Sequence, residues 1–469
     1  MKKYIVASLL LVSSFRPSFS QVPFPLDSIL NYTLDSLQTL IDAKSLSAAI
    51  EFPDTTIWSG VSGVSSLTPL VNTTANDAFL IGSVTKTLTA ACILQLAEQN
   101  VLNLDDSLHT LLDTIQFINP DITIRQLLRH QSGLYDVLTN PANQPSMLAN
   151  PDSIWTASDI IHTFINPPVF TPGTAWSYCN TNYLLLGMII EAATGNPFYT
   201  EIRNRFLNPL SLNSVVAWPF DTLNNPVAHV WLDLNGDGIT DDANNFFMNT
   251  PSLNASGGAA GCYFSVPADI TKWMRRYMRG DLIDSTFMNQ AKLTVSAPGL
   301  PSTSYGLGLM SRSIIGYAAI GHGGDFGYAA SSWYFPTKDI SITVFTNDSE
   351  HNSWGLIPVV AALLKSYNQY MNTTSIIESE VAEVQVFPNP FVDKIVVDAR
   401  LKSNSKNLLV EVADLTGRIV TEYNYNNPDA NFTSIITLPE GLSKGMYFIR
   451  LICDGEPAIT KQLLKLNRD

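Results

Sequence analysis

The 469-residue chain is short of charge. Only 14% of its side chains are Asp, Glu, Lys or Arg, against 45% hydrophobic. A disordered or solvating polypeptide needs the opposite balance, so that class is excluded, and there is ample apolar material for a large core. Positive charge is scarcest of all. The 27 Lys and Arg face 41 Asp and Glu, a formal net charge of −14. A surface of that sign repels phosphate, which argues against a nucleic-acid partner. Cysteine is nearly missing: Cys92, Cys179, Cys262 and Cys453 stand singly, with no CxxC or Cys/His metal spacing. They read as small buried hydrophobes, with one disulfide left open. Beyond the N-terminus no stretch reaches the roughly 18 uninterrupted apolar residues of a membrane-spanning helix.

What is present divides the chain. Lys2 and Lys3 precede an apolar run from Tyr4 to Val12, and Ser18-Phe19-Ser20 places small residues before Gln21. This predicts a secretory signal peptide over 1–20. Residues 384–469 hold ten basic and ten acidic side chains, so the whole net charge lies before them. Ahead of that tail, 376–383 reads as a polar linker. Within the tail, segments such as Lys394–Asp398, Leu408–Ala413, Ser434–Leu438 and Met446–Ile452 alternate between turn residues. About six strands in this length predict a small all-β sandwich. Residues 24–375 mix helical runs (Leu88–Ala97, and Tyr183–Ala193 closed by Gly195) with strands such as Asp339–Asn347. They do not alternate as βαβ units. That predicts a mixed α/β (α+β) domain, an antiparallel sheet with helices packed on it.

Three short elements carry chemistry. In Phe79-Leu-Ile-Gly-Ser83-Val-Thr-Lys86, Ser83 follows an apolar strand and opens an apolar helix. Unpaired N–H groups and the dipole at a helix start favour an alkoxide there. Lys86 lies one turn on, and a desolvated lysine can take the serine proton near neutral pH. An N-cap serine beside a surface lysine fits the same letters, and Ser403-Asn-Ser-Lys406 repeats the spacing in a polar loop. In Trp176-Ser-Tyr178-Cys-Asn180, an extended backbone points Tyr178 and Asn180 to one side. A phenolate serves as a general base if nearby cations lower its pKa. Ile320-Gly-His322-Gly-Gly-Asp325 packs glycines into a strand, as close approach of another backbone requires.

In order and approximate spacing, Ser83-x-x-Lys86, Tyr178-x-Asn180 and His322-Gly323-Gly324 resemble the serine β-lactamase-related family. That group holds class C β-lactamases, D-alanyl-D-alanine carboxypeptidases, D-aminopeptidases and family VIII esterases. Supporting phrases are Thr123–Leu134, Pro172–Tyr178, Ala259–Asp269 and Tyr305–Gly308. The resemblance implies a β-lactamase/transpeptidase-like fold and acyl transfer without a cofactor. Ser83 would be the nucleophile, with Lys86 and Tyr178 sharing the proton transfers. Asn180 would bind the acyl side chain or orient Lys86. His322, Gly323 and Gly324 would line an edge strand, and the N–H groups of Ser83 and Asp325 would form the oxyanion hole.

Class C β-lactamases carry Lys-Thr-Gly where His322 and Gly323 stand. A histidine is mostly neutral at pH 7, so the expected substrate is a small molecule or peptide bearing an ester or amide. Alternatives are a penicillin-binding carboxypeptidase or β-lactamase, and a catalytically silent surface binding protein. His130, in Arg129-His130-Gln-Ser-Gly133, reads as structural. The tail resembles the C-terminal sorting domain of the type IX secretion system, through Phe387-Pro-Asn-Pro390, Asp414-Leu-Thr-Gly-Arg418 and Gly445-Met-Tyr-Phe-Ile-Arg450. It implies that secretion machinery as partner, and a secreted or cell-surface location.

One motif stands apart. Asp233, Asn235, Asp237, Asp241 and Asp242 follow the spacing of an EF-hand-type loop without its closing Glu. A structural Ca2+ and an acidic surface turn both fit.

Overall fold

The computed structural model describes residues 22, 24–67, 69–233, 236–244, 246–375, 381–401, 406–414, 418–454 and 456–466. The expected signal peptide, residues 376–380 of the expected linker, Ser403 and Asn235 lie outside them. The chain divides into two compact units, Leu34–Ala361, and Phe24–Thr33 with Ala362–Asp469.

The larger unit is built on a nine-stranded sheet, antiparallel at every pairing. From one edge the strands are Leu70–Asn72, Ile57–Leu67, Ser45–Glu51, Ile340–Thr346, Tyr328–Phe335, Tyr317–Phe326, Met310–Ile314, Thr303–Tyr305 and Val295–Ser296. Three central strands, Ser45–Glu51, Tyr328–Phe335 and Ile340–Thr346, are buried at every residue. The alternation in Ile340–Thr346 therefore marks two covered faces, not a wet and a dry one. Its polar residues are paired: Thr343 Oγ1 lies 2.7 Å from Ser332 Oγ, and Thr346 donates to the Ser45 carbonyl at 2.8 Å. Buried hydroxyls need such partners.

Helix Pro267–Arg279 packs on these strands and brings the wholly buried Arg275 to the buried Glu51 at 3.2 Å. Helix Thr85–Glu98 is buried on nearly every face, against helices Thr181–Thr194 and Pro251–Gly261. Gly195 ends Thr181–Thr194 in the left-handed region, φ 74°, the C-terminal signal expected from sequence. The four cysteines are buried, and Cys92, Cys179 and Cys262 form no disulfide among the described residues. No helix among the described residues is long and apolar enough to cross a membrane.

Among the described residues of the smaller unit seven strands form two sheets. One is Val381–Phe387, Lys394–Leu401 and Asn431–Thr437; the other is Ile419–Asn426, Asn407–Asp414, Gly445–Cys453 and Glu456–Lys465. Alternate residues of both meet in one core, including Ile395, Val397, Val410, Ile436, Ile449 and Leu451. This is the expected sandwich with one more strand. Val381-Ala-Glu-Val-Gln-Val386 alternates as a strand should, and it begins inside the segment 376–383 read as linker.

Candidate active site

The serine element folds as a tight turn between strand and helix. Ser83 sits in a 3-10 turn, Gly82–Val84, that runs straight into helix Thr85–Glu98. Gly82 holds φ 49°, and a Cβ there would lie 2.9 Å from the Asp325 nitrogen. A Cβ on Gly324 would lie 2.1 Å from the Ile81 carbonyl oxygen and 2.8 Å from the Ser83 nitrogen. These glycines let strand Tyr317–Phe326 lie against the serine turn. The close backbone expected there is thus the protein's own.

Lys86 is fully buried, and its Nζ has three neighbours: Ser83 Oγ at 2.8 Å, Asn180 Oδ1 at 2.8 Å and the Ala260 carbonyl at 2.9 Å. The last exists because helix Pro251–Gly261 kinks at Gly258 (φ 42°, ψ −136°). The kink frees the Ala259 and Ala260 carbonyls, which accept from Thr89 Oγ1 and Lys86 Nζ. Burial lowers the Lys86 pKa to about 7, partly opposed by Asp136. The two carbonyl oxygens can only accept. A neutral amine that donates to both therefore keeps its lone pair for the Ser83 hydroxyl.

Tyr178 lies beside this group, its ring 5.0 Å from Lys86 Nζ. Burial drives its phenol well above the ordinary value, with the Ser83 hydroxyl pulling the other way. Burial thus works against the condition on which a phenolate base depends, that nearby cations lower the pKa. The phenol keeps its proton, and its oxygen is buried with no hydrogen bond of good geometry. Behind it, the His130 ring packs tilted at 36°, 4.3 Å between ring centroids. His130 Nδ1 accepts from the Cys179 amide at 3.2 Å and from Asn182 Nδ2 at 3.0 Å. Burial and Lys86 keep this imidazole neutral, well below the usual histidine range. It braces the Tyr178–Asn180 turn, as its structural reading anticipated.

His322 departs from expectation. It is fully buried, with Nε2 2.9 Å from the Tyr305 hydroxyl and Nδ1–H donating to the Gly323 carbonyl at 2.5 Å. Burial and Lys86 lower its pKa to about 3, so it is neutral. In a strand successive side chains point to opposite faces. Gly323 and Asp325 line the cleft, whereas the His322 imidazole lies behind Tyr178 and Gly324 packs under the serine turn. Pairing with Met310–Ile314 stops at Gly321, so the strand's final residues have a free edge on that side.

The cleft holds about 340 Å³ and is lined by Ser83, Tyr178, Asn180, Gly323 and Asp325. Its walls also include Leu138, Met310, Phe326, Ser353 and Trp354. No Lys or Arg is among the lining residues.

Two residues went unnoticed in the sequence. Asp136 Oδ2 accepts from the Asn180 amide at 3.0 Å and from Asn180 Nδ2 at 2.9 Å, while Oδ1 accepts from Leu138 N–H at 3.1 Å. Its carboxylate thus fixes which end of the Asn180 amide faces Lys86. Its only signal was its place three residues after Gly133. Ser353 donates its amide and hydroxyl to the two Asp325 oxygens, at 2.5 and 2.7 Å. No sequence signal pointed to it.

The acidic loop is held by its own turns. Asp233 accepts from the Gly236 and Gly238 amides, and Asp237 from Ile239. Asp242 accepts from Asn244 and pairs with His229 at 2.9 Å, while Asp241 is exposed. Among the described residues no group of three or more His, Cys, Asp or Glu is arranged to hold a metal ion.

The family model described as "Beta-lactamase" matches residues 37–356, and "Secretion system C-terminal sorting domain" matches 385–465. Penicillin-binding protein 4* of Bacillus subtilis (strain 168) is 33% identical over 143 residues, 29% of this chain and 30% of that protein. D-aminopeptidase of Cereibacter sphaeroides is 28% identical over 242 residues, 50% of this chain and 43% of its own length. The chain therefore spans half or less of the curated relatives it matches. A solved D-stereospecific amidohydrolase from Streptomyces sp. superposes with TM-score 0.62 at 26% identity, over 71% of this chain and 98% of that one.

Proposed function

The chain belongs to the Beta-lactamase family, and on that premise we propose that it is a serine hydrolase acting on esters or amides. The observation that carries this is the Lys86 amine, buried 2.8 Å from Ser83 Oγ between two fixed carbonyl acceptors. Neutral Lys86 takes the Ser83 proton as Oγ bonds to the substrate's carbonyl carbon. The Ser83 and Asp325 N–H groups hold the oxyanion, a contribution of roughly 3–4 kcal/mol for one such donor. The bond from carbonyl carbon to leaving nitrogen or oxygen then breaks, and the leaving group takes the proton back through Lys86 and the Tyr178 phenol. Water gives a proton to Lys86 and attacks the ester carbonyl carbon; the carbon–Oγ bond then breaks, Lys86 returns that proton to Ser83 Oγ, and the acid leaves. Side chains and water carry every proton.

A cleft lined by no Lys or Arg, beside a neutral His322, supports small ester or amide substrates over penicillins, whose carboxylate calls for a cation. Similarity to a D-aminopeptidase and to a D-stereospecific amidohydrolase supports amides. The C-terminal sorting domain supports export by a type IX system to the cell surface or beyond, with residues 1–20 as the first export signal. Residues 24–375 would hold the chemistry and 384–469 the address.

Intact-mass spectrometry of the full chain tests this reading, wild type beside Ser83→Ala, after a fluorophosphonate or a penicillin. The expected result is a fluorophosphonate adduct on wild type only. No adduct on folded wild type would overturn the mechanism in favour of a silent binding protein. A persistent penicilloyl adduct would overturn the substrate preference in favour of a peptidoglycan enzyme.

A further inference from the structure

Asp325 has a second face that the mechanism does not use. Its backbone N–H, on strand Tyr317–Phe326, lies against the serine turn, whereas its carboxylate stands in the cleft. The side chain is surrounded by protein atoms yet open to solvent, as a group on the floor of a concavity is. Burial raises its pKa from the ordinary carboxylate value, and the Ser353 hydroxyl and amide oppose that shift. Among the described residues no Lys, Arg or His forms an ion pair with it. Arg312, the cation nearest this wall in sequence, instead stacks over Trp333 and Trp354 at 5.8 and 5.2 Å. Lys86 is committed to Ser83, Asn180 and Ala260.

Two N–H or O–H donors from Ser353 fix the carboxylate in place and leave each oxygen a free lone pair. Held this way in the cleft wall, and paired with no cation of the chain among the described residues, the carboxylate offers its oxygens to a cationic group on a ligand. We infer that Asp325, steadied by Ser353, is the specificity determinant for a substrate carrying an ammonium group close to the scissile carbonyl, as an amino-acid amide or a peptide with a free amino end does. The inference rests on the serine-hydrolase reading of the cleft. Phe326 and Trp354, in the same wall, supply an apolar seat for a side chain next to that ammonium. The −14 net charge draws cations toward such a cleft and adds to their rate of arrival.

The test needs no knowledge of the natural substrate. The full chain is labelled at Ser83 with a fluorophosphonate in the presence of phenylalanine amide, of either hand, or N-acetylphenylalanine amide. The α-ammonium of the first is largely protonated at pH 7 and absent from the second. In wild type, at least one hand of the free amine should protect Ser83 at a concentration about tenfold lower than its acetylated form. Asp325→Asn keeps the shape of the side chain, and there the ratio should fall to between one and two. Ser353→Ala keeps the charge but frees it, and should leave the preference reduced but of the same sign. In wild type the preference should also fade between pH 7 and pH 9, as the amine loses its proton. Equal protection by both compounds in wild type, or a ratio unchanged at pH 9 or in Asp325→Asn, would overturn the assignment. Failure of wild type to label at all would instead remove the reading on which it rests.

Discussion

Replacing Asp136 with Asn tests how the Lys86 base is set. The wild-type carboxylate accepts three N–H groups, two of them from Asn180. An amide of the same shape has one oxygen to accept with, and its NH2 must face a donor. At least one charge-assisted bond is lost, worth roughly 1.5–3 kcal/mol. The Asn180 amide loses the anchor that points Oδ1 at Lys86. About 2 kcal/mol of lost positioning at the reacting pair corresponds to a fall of about thirtyfold in rate. The pH profile carries the sharper information. A carboxylate near Lys86 favours its charged form, so removing it lowers a pKa already near 7. The reaction needs the neutral amine. The acid limb of the profile should therefore move to lower pH while the plateau drops. The assay is the second-order rate of fluorophosphonate labelling from pH 5 to pH 9, which requires no substrate. A plateau that drops with an unmoved limb would mean that Asp136 only supports the fold. A limb that moves to higher pH would refute the electrostatic argument.

Gly324→Ala should leave the protein folded by circular dichroism but slow labelling of Ser83 by about a hundredfold. Its Cβ would meet the Ile81 carbonyl oxygen at 2.1 Å and push the serine turn away from the Asp325 amide, and small misplacements cost rates of that order. Arg275→Met should lower stability by roughly 3 kcal/mol in denaturant titration, because it removes the buried partner of the Glu51 carboxylate and leaves it only the longer pairing with Arg276 at 3.5 Å. Burial already raises the Glu51 pKa in the folded state. The penalty should therefore be present at neutral pH and shrink as acid protonates Glu51; a pH-independent loss would contradict it.

Much of the site was legible because its chemistry is local. Ser83 and Lys86 are one helical turn apart, and Tyr178 and Asn180 are two residues apart on one short segment, so each pair's shared direction follows from backbone geometry. The alternation of the tail strands likewise gave six of the seven. What escaped depends on phase or on long-range contact. Gly323 and Asp325 alternate with His322 and Gly324, but which pair faces the cleft is decided by where the serine turn docks. Only the folded chain contains that information, and it turned the His322 ring inward. The condition for a phenolate at Tyr178 turns on burial in the same way: burial raises the phenol's pKa, and only the Ser83 hydroxyl pulls against it. Asp136 and Ser353 reach their partners across 44 and 28 residues of chain, and neither sits in a spacing that chemistry would flag.

Asp136 also explains why the base is poised where it is. A lysine buried as completely as Lys86 can fall to a pKa of about 5–6 when nothing opposes desolvation. Such an amine would be free of protons at neutral pH but a poor acceptor from a serine hydroxyl. A carboxylate in direct contact would do the reverse, holding the ammonium charged and useless as a base. Asp136 is instead one amide away, with Asn180 accepting from Lys86 on one side and donating to Asp136 on the other. The intervening amide weakens the anion's pull without removing it, and the balance falls at about 7. That is where a general base combines a large neutral fraction with the greatest basicity. The same amide fixes geometry and charge together, so a change at Asp136 must alter both the height and the position of the pH profile.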